Sequence, residues 1–128
     1  MQLLLDTHAL LWWALDADDL SRKARRAIAN CDNQVFVSAA TAWEIAIKFR
    51  AGRLPEAEAF VQSFSKNLRT LGFIELAISV EHAQRAGLLP GSHKDPFDRM
   101  LIAQAQAEGF LLISNEKLFD TYHVPRIW

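Results

Sequence analysis

Three runs of the chain are apolar without interruption, Leu3–Leu5, Val35–Val37 and Phe110–Ile113. Runs of this length and evenness fit strands buried on both faces of a parallel sheet, where neither face has to be polar. Phe73–Ala77 is a weaker strand, with Glu75 alternating against apolar neighbours, and Val124–Trp128 is a further one, with Pro125 marking an edge. Between the strands the spacing turns helical. The pattern predicts helices over Ala9–Leu15, from Arg22 to about Asn30, over Ala42–Ala51, Pro55–Leu71, Val80–Ala86 and Asp95–Glu108, and a short one around Lys117–Asp120. Ser21 is placed to cap the second, Ser38 or Thr41 the third, and Ser79 the fifth, with Gly52, Gly72, Gly87 and Gly109 as stops.

Strands alternating with helices predict an α/β chain with helices on both faces of a mostly parallel sheet, a three-layer α/β/α sandwich. In such sheets ligands bind in the crevice at the carboxyl ends of the strands, and acids recur there. Asp6 ends the first strand, Glu44 lies in the first turn expected after the second, and Glu116 follows a later one. Asp98 belongs to the segment His93–Ala105, where Asp95 reads as a helix cap and Pro96 as the first helical residue. An acid three places after a cap has an ordinary explanation as half of a capping box, and Glu44 as the partner of Lys48 four residues on.

The acids gain weight from what surrounds them. Carboxylates gathered in a crevice repel one another and resist burial, and no lysine or arginine is placed to serve all of them. A divalent cation would. With one cysteine, Cys31, and no histidine pair at ligand spacing, an all-oxygen set favours Mg²⁺, or Mn²⁺, over Zn²⁺. His8, His82, His93 and His123 read as residues of caps, loops and packing.

Composition narrows the class without deciding it. The 128 residues are 51% apolar, with four Trp and eight Phe, which fits one folded domain over residues 1–128. A net charge of −1 argues against a generally basic nucleic-acid binder; the Arg22–Arg26 run reads as a solvated helix face. A lone cysteine excludes an intrachain disulfide and a cysteine-based zinc cluster. Asp6 and Asp16–Asp19 interrupt the early apolar runs, so no leader or membrane span is expected and the compartment reads as cytoplasmic. Leu10–Leu15 is apolar nearly all round. With Phe60, Phe64 and Leu68 it is expected to form a groove for a partner helix or a second copy.

Three segments in order, Leu3-Leu4-Leu5-Asp6-Thr7-His8-Ala9-Leu10-Leu11-Trp12, Ser38-Ala39-Ala40-Thr41-Ala42-Trp43-Glu44-Ile45 and the whole of His93–Ala105, resemble a PIN domain of the VapC toxin type. The likeness runs on to Tyr122-His123-Val124 and Ile127-Trp128. It implies a metal-dependent ribonuclease, usually a homodimer, neutralised by a cognate antitoxin encoded beside it. Asp6, Glu44 and Asp98 match the family's three main acids. Glu116 stands where the family commonly has Asp, a departure that bears on any second metal or water-orienting role. Thr7 and Ser114 are expected to donate to the carboxylates, and Asp95 belongs to the motif but serves as the cap. A PIN-like binding protein without catalysis is the other reading. A Mg²⁺-binding receiver module would need paired acids after the first strand and an acceptor Asp after a middle one; Asp6-Thr7-His8 and Phe73–Ser79 supply neither.

Overall fold

In the computed structural model, which describes residues 1–128, β1 (Gln2–Leu5) forms the middle of the sheet. It pairs with β2 (Gln34–Ser38) on one side and β4 (Leu111–Ile113) on the other. β3 (Ile74–Leu76) and β5 (Arg126–Ile127) close the edges, giving the order β3-β2-β1-β4-β5 with every pair parallel. All five strands read from the sequence are present, and the two with a polar residue or proline are the edges.

The pleat divides the apolar runs between two cores. Leu3, Leu5, Val35, Val37 and Ile113 face the side covered by α1 (Thr7–Ala14), α2 (Arg22–Ala29) and α3 (Ala39–Arg50), with Leu10, Ala24, Ile28 and Ile45 among the residues they meet. Leu4 and Leu112 face the other side, where α7 (Pro96–Glu108) contributes Leu101, Ile102 and Ala105, joined by Phe119 and Val124. Uninterrupted apolar strands were required because both faces are covered. The result is the expected three-layer α/β/α arrangement. No helix is long and apolar enough to cross a membrane.

Local rules account for most boundaries. Ser21, Ser38 and Ser79 cap α2, α3 and α6 (Val80–Leu88). At Ser79 the reciprocal bond of the capping box comes from a histidine, since the Ser79 amide donates to His82 Nδ1 at 3.1 Å. Asp95 Oδ1 accepts from the amides of Phe97 (2.9 Å) and Asp98 (3.2 Å), and Gly109 ends α7 at φ 72°. Asp95→Ala is therefore expected to lower stability by about 1 kcal/mol in urea denaturation, while Asp95→Asn, which keeps the acceptor, leaves it nearly unchanged.

Three expectations need correction. The helix predicted over Pro55–Leu71 is a 3₁₀ turn (Pro55–Ala57), α4 (Glu58–Gln62) and α5 (Phe64–Thr70), because Ser63 leaves the helical region at φ −144°, ψ 53°. The Asn67 side-chain amide takes up the carbonyls freed at Ala59 (3.3 Å) and Phe60 (3.1 Å). Gly87 does not stop α6, which runs to Leu88; Leu89 is extended instead, as a residue before proline prefers. And α3 begins at Ala39, so Glu44 lies in its second turn rather than its first.

Candidate active site at the carboxyl edge of the sheet

β1 delivers Asp6 to the carboxyl edge, and the same residue starts the next helix. Its amide donates to Ile113 O at 3.2 Å, stitching β1 to β4, while Oδ1 accepts from the Ala9 amide at 2.8 Å as the cap of α1. Only 4% of Asp6 is exposed. Burial pushes its carboxyl up to about 6; hydrogen bonds from the Ser114 hydroxyl and the Ala9 amide and the nearby His8 pull the other way, and the charge of Asp98 adds to the rise.

Glu44 is buried against two donors. Thr7 Oγ1 donates to Oε1 at 2.6 Å, and Lys48 Nζ meets Oε2, also at 2.6 Å. The Glu44–Lys48 pair expected from helical spacing is thus real, and the expected donor Thr7 reaches the same carboxylate. Ser114, fully buried at the end of β4, serves Asp6 and also accepts from the Glu116 amide at 3.0 Å.

Asp98 does not return to the amide of Asp95 to close a capping box. Its Oδ2 lies 3.0 Å from His93 Nε2, and since a carboxylate only accepts, the imidazole nitrogen donates. Burial raises the Asp98 carboxyl, the charges of Asp95 and Glu44 add to the rise, and His93 opposes it. From the sequence, His93 reads as a loop residue. Its only available signal was a place five residues ahead of an acid in a Pro-Gly loop, which does not specify a contact.

Asp6, Glu44 and Asp98 therefore lie close enough for their charges to act on one another in sequence. Glu116, whose amide bonds Ser114 Oγ at the end of β4, is exposed, and its carboxylate bonds to no other side chain. The remaining histidines keep structural surroundings. His8 stacks on Trp12 at 5.3 Å, and the Trp12 ring meets Trp128 at a tilt, 5.7 Å between centroids. Buried His82 bonds Glu108 at 2.8 Å, and His123 turns the chain at φ 57°.

The donor set suits a hard divalent cation. Asp6 and Asp98 pair with no lysine or arginine, so both carry charge that burial disfavours and that neighbouring hydrogen bonds and histidines, His8 at Asp6 and His93 at Asp98, only partly offset. No three His, Cys, Asp or Glu side chains stand together as a preformed cage. That fits poorly with a structural zinc site, which is closed by four protein ligands.

Residues 3–124 match the family model described as PIN domain. Ribonuclease VapC22 of Mycobacterium tuberculosis is 30% identical over 127 residues, covering 96% of this chain and 93% of that protein. Ribonuclease VapC16 of the same organism is 37% identical over 70 residues, 55% of this chain and 48% of its own length. Among solved structures, VapBC2 from Rickettsia felis bound to a DNA fragment from its promoter superposes with a TM-score of 0.67 at 14% identity, covering 100% of both chains. DNA-bound VapBC from Salmonella typhimurium does so at 0.64 and 16%, covering 98% of this chain and 96% of that one.

Proposed function

The chain belongs to the PIN domain family, and on that premise we propose that it is a Mg²⁺-dependent endoribonuclease, the toxin of a type II toxin-antitoxin pair. The observation that carries the proposal is a pair of acids at the carboxyl edge of a parallel sheet, the buried Asp6 and the half-buried Asp98, neither of them paired with a lysine or arginine.

Asp6 and Asp98 would hold the cation, directly or through water, with Mn²⁺ an acceptable substitute. When bound it supplies charge stabilisation at the phosphate and a more acidic water. Asp6 is fixed for this by its cap bond and by Ser114. Glu44, gripped by Thr7 and Lys48, orients the attacking water with one face of its carboxylate, and the Lys48 ammonium offers a positive charge to a phosphate oxygen beside it. Hydrolysis adds the water oxygen to phosphorus and breaks one phosphorus–ribose oxygen bond. Glu116, exposed and bonded to no other side chain, completes the shell with RNA bound or takes no part.

The test is incubation of the purified protein with total RNA. Cleavage is expected with Mg²⁺ or Mn²⁺ and is expected to stop with excess EDTA; activity that survives chelation would remove the cation from the mechanism. A non-catalytic RNA-binding protein is the second reading, favoured by the exposed glutamate in place of the family's usual Asp. RNA retained but uncut under every metal condition would establish it.

For the partner, an apolar groove of about 290 Å³ lies between α1 and α4–α5, lined by Leu10, Leu11, Leu15, Phe60 and Leu71. It suits the apolar face of an antitoxin helix. Of the residues expected there, Phe64 and Leu68 line a separate cleft with Val37 and Leu76 instead, because the break at Ser63 redirects α5. The exposed Trp43 (60%) and Ile47 (41%) of α3 offer a second copy its own apolar face. A monomer in size-exclusion chromatography would count against that dimer. The cytoplasm is the proposed compartment, in keeping with a single exposed, unpaired cysteine, Cys31.

A further inference from the structure

The loop that joins α6 to α7 has no regular structure, yet side chains grip its backbone and the last turn of α6 from two directions. From α7, Arg99 turns its guanidinium back along the chain: Nε donates to Ala86 O at 3.2 Å, one terminal nitrogen to His93 O at 3.0 Å, and the other to Leu89 O. From the far side, the Tyr122 hydroxyl donates to Pro90 O at 3.0 Å. Tyr122 also closes over Gly91, where φ is +92° and an added Cβ would stand 2.8 Å from the phenol oxygen. Only glycine fits there.

Exposed loops of this kind are ordinarily left mobile. Here Gly91, Ser92 and Lys94 are exposed, and the one side chain the loop sends to the acid edge is His93, with Nε2 at 3.0 Å from Asp98 Oδ2. Asp98 Oδ1 has no hydrogen-bond partner. A rigid arginine fork bonding three carbonyls sets the position of a backbone in a way that a flexible lysine would not.

We propose that His93 is a positioning residue of the acid edge: it fixes the Asp98 carboxylate through Oδ2, leaving Oδ1 to the cation, and Arg99 and Tyr122 act through it by holding its loop in place. This rests on the reading of Asp98 as a cation-holding acid. Groups that hydrogen-bond a ligating side chain set its orientation, and losing one costs about 10–100-fold in metal affinity.

The experiment is Mn²⁺ binding by the full chain, read from the electron paramagnetic resonance signal of the free ion, with thermal unfolding in parallel. The proteins are wild type, Asp98→Asn, His93→Ala, His93→Gln and Tyr122→Phe. His93→Ala is expected to weaken Mn²⁺ binding by about 10–100-fold with an unchanged melting temperature. His93→Gln, whose amide can donate from a similar place, is expected to recover part of the loss, and Tyr122→Phe to show a smaller loss of the same kind. If Asp98→Asn loses Mn²⁺ while His93→Ala binds as wild type, the acid edge stands and the role of His93 is overturned. If Asp98→Asn itself binds as wild type, the functional reading fails and the positioning role fails with it.

Discussion

Asp98→Asn is expected to lower the rate of RNA cleavage by about a thousandfold at saturating Mg²⁺, close to 4 kcal/mol of transition-state stabilisation, which is the scale of a cation contact at a reacting phosphate. The substitution is nearly isosteric. Asp95 still caps α7 through its own Oδ1, so the helix start is kept. Burial already disfavours the Asp98 charge, so removing it is expected to leave the metal-free fold no less stable. Single-turnover cleavage alongside a melting curve separates the two effects. A variant that melts like wild type and cuts like wild type would take Asp98 out of the site.

The second large effect is on stability in the absence of metal. The Asp6 carboxyl sits at about 6 in the folded protein against an ordinary value of 3.8, so between those two values the folded state holds more protons than the unfolded one. Its contribution is then most favourable below pH ~4 and is lost as pH rises through about 6, a change of about 3 kcal/mol for a shift of this size. The raised Asp98 carboxyl acts in the same direction. In EDTA, urea denaturation of wild type is expected to show stability falling across this window relative to Asp6→Asn, which keeps an oxygen for the Ala9 amide and has no proton to lose. Parallel profiles would show that the buried carboxylate carries no such cost. Mn²⁺ at neutral pH is expected to recover the lost stability in wild type and not in the variant.

This cost bears on why the acid edge exists. A protein selected only for stability would do better with Asn at position 6. An ionisable group buried without a basic partner is retained where a ligand supplies the missing charge. Asp6 also shows how the fold and the site share residues: the same carboxylate caps α1 and presents its charge at the strand end.

What could be read from the sequence follows what the local chain determines. The strands Leu3–Leu5 and Phe110–Ile113 are apolar at every position because both faces are covered, and that is visible in one dimension. Capping serines and the Asp95-Pro96 start are local rules, as is the Glu44–Lys48 pair at helical spacing. The break at Ser63 was hidden, because the Phe60–Phe64 spacing suits a continuous helix and the interruption is stabilised by Asn67 folding back on the Ala59 and Phe60 carbonyls. The His93–Asp98 contact was hidden for another reason. It depends on Arg99 and Tyr122 reaching the loop from separate elements, a tertiary arrangement with no periodic trace. Glu116 follows its strand as expected, but the residue after a strand can face either way, and this one faces solvent.

We propose that Asp6 and Asp98 serve one cation together. This is tested most directly by a double-mutant cycle in the RNA-cleavage assay, using Asp6→Asn, Asp98→Asn and the double variant at saturating Mg²⁺. Residues that act as one unit lose their function together, so the double variant is predicted to be no slower than either single variant. Losses that multiply, or a single variant that keeps the wild-type rate, would contradict a shared site.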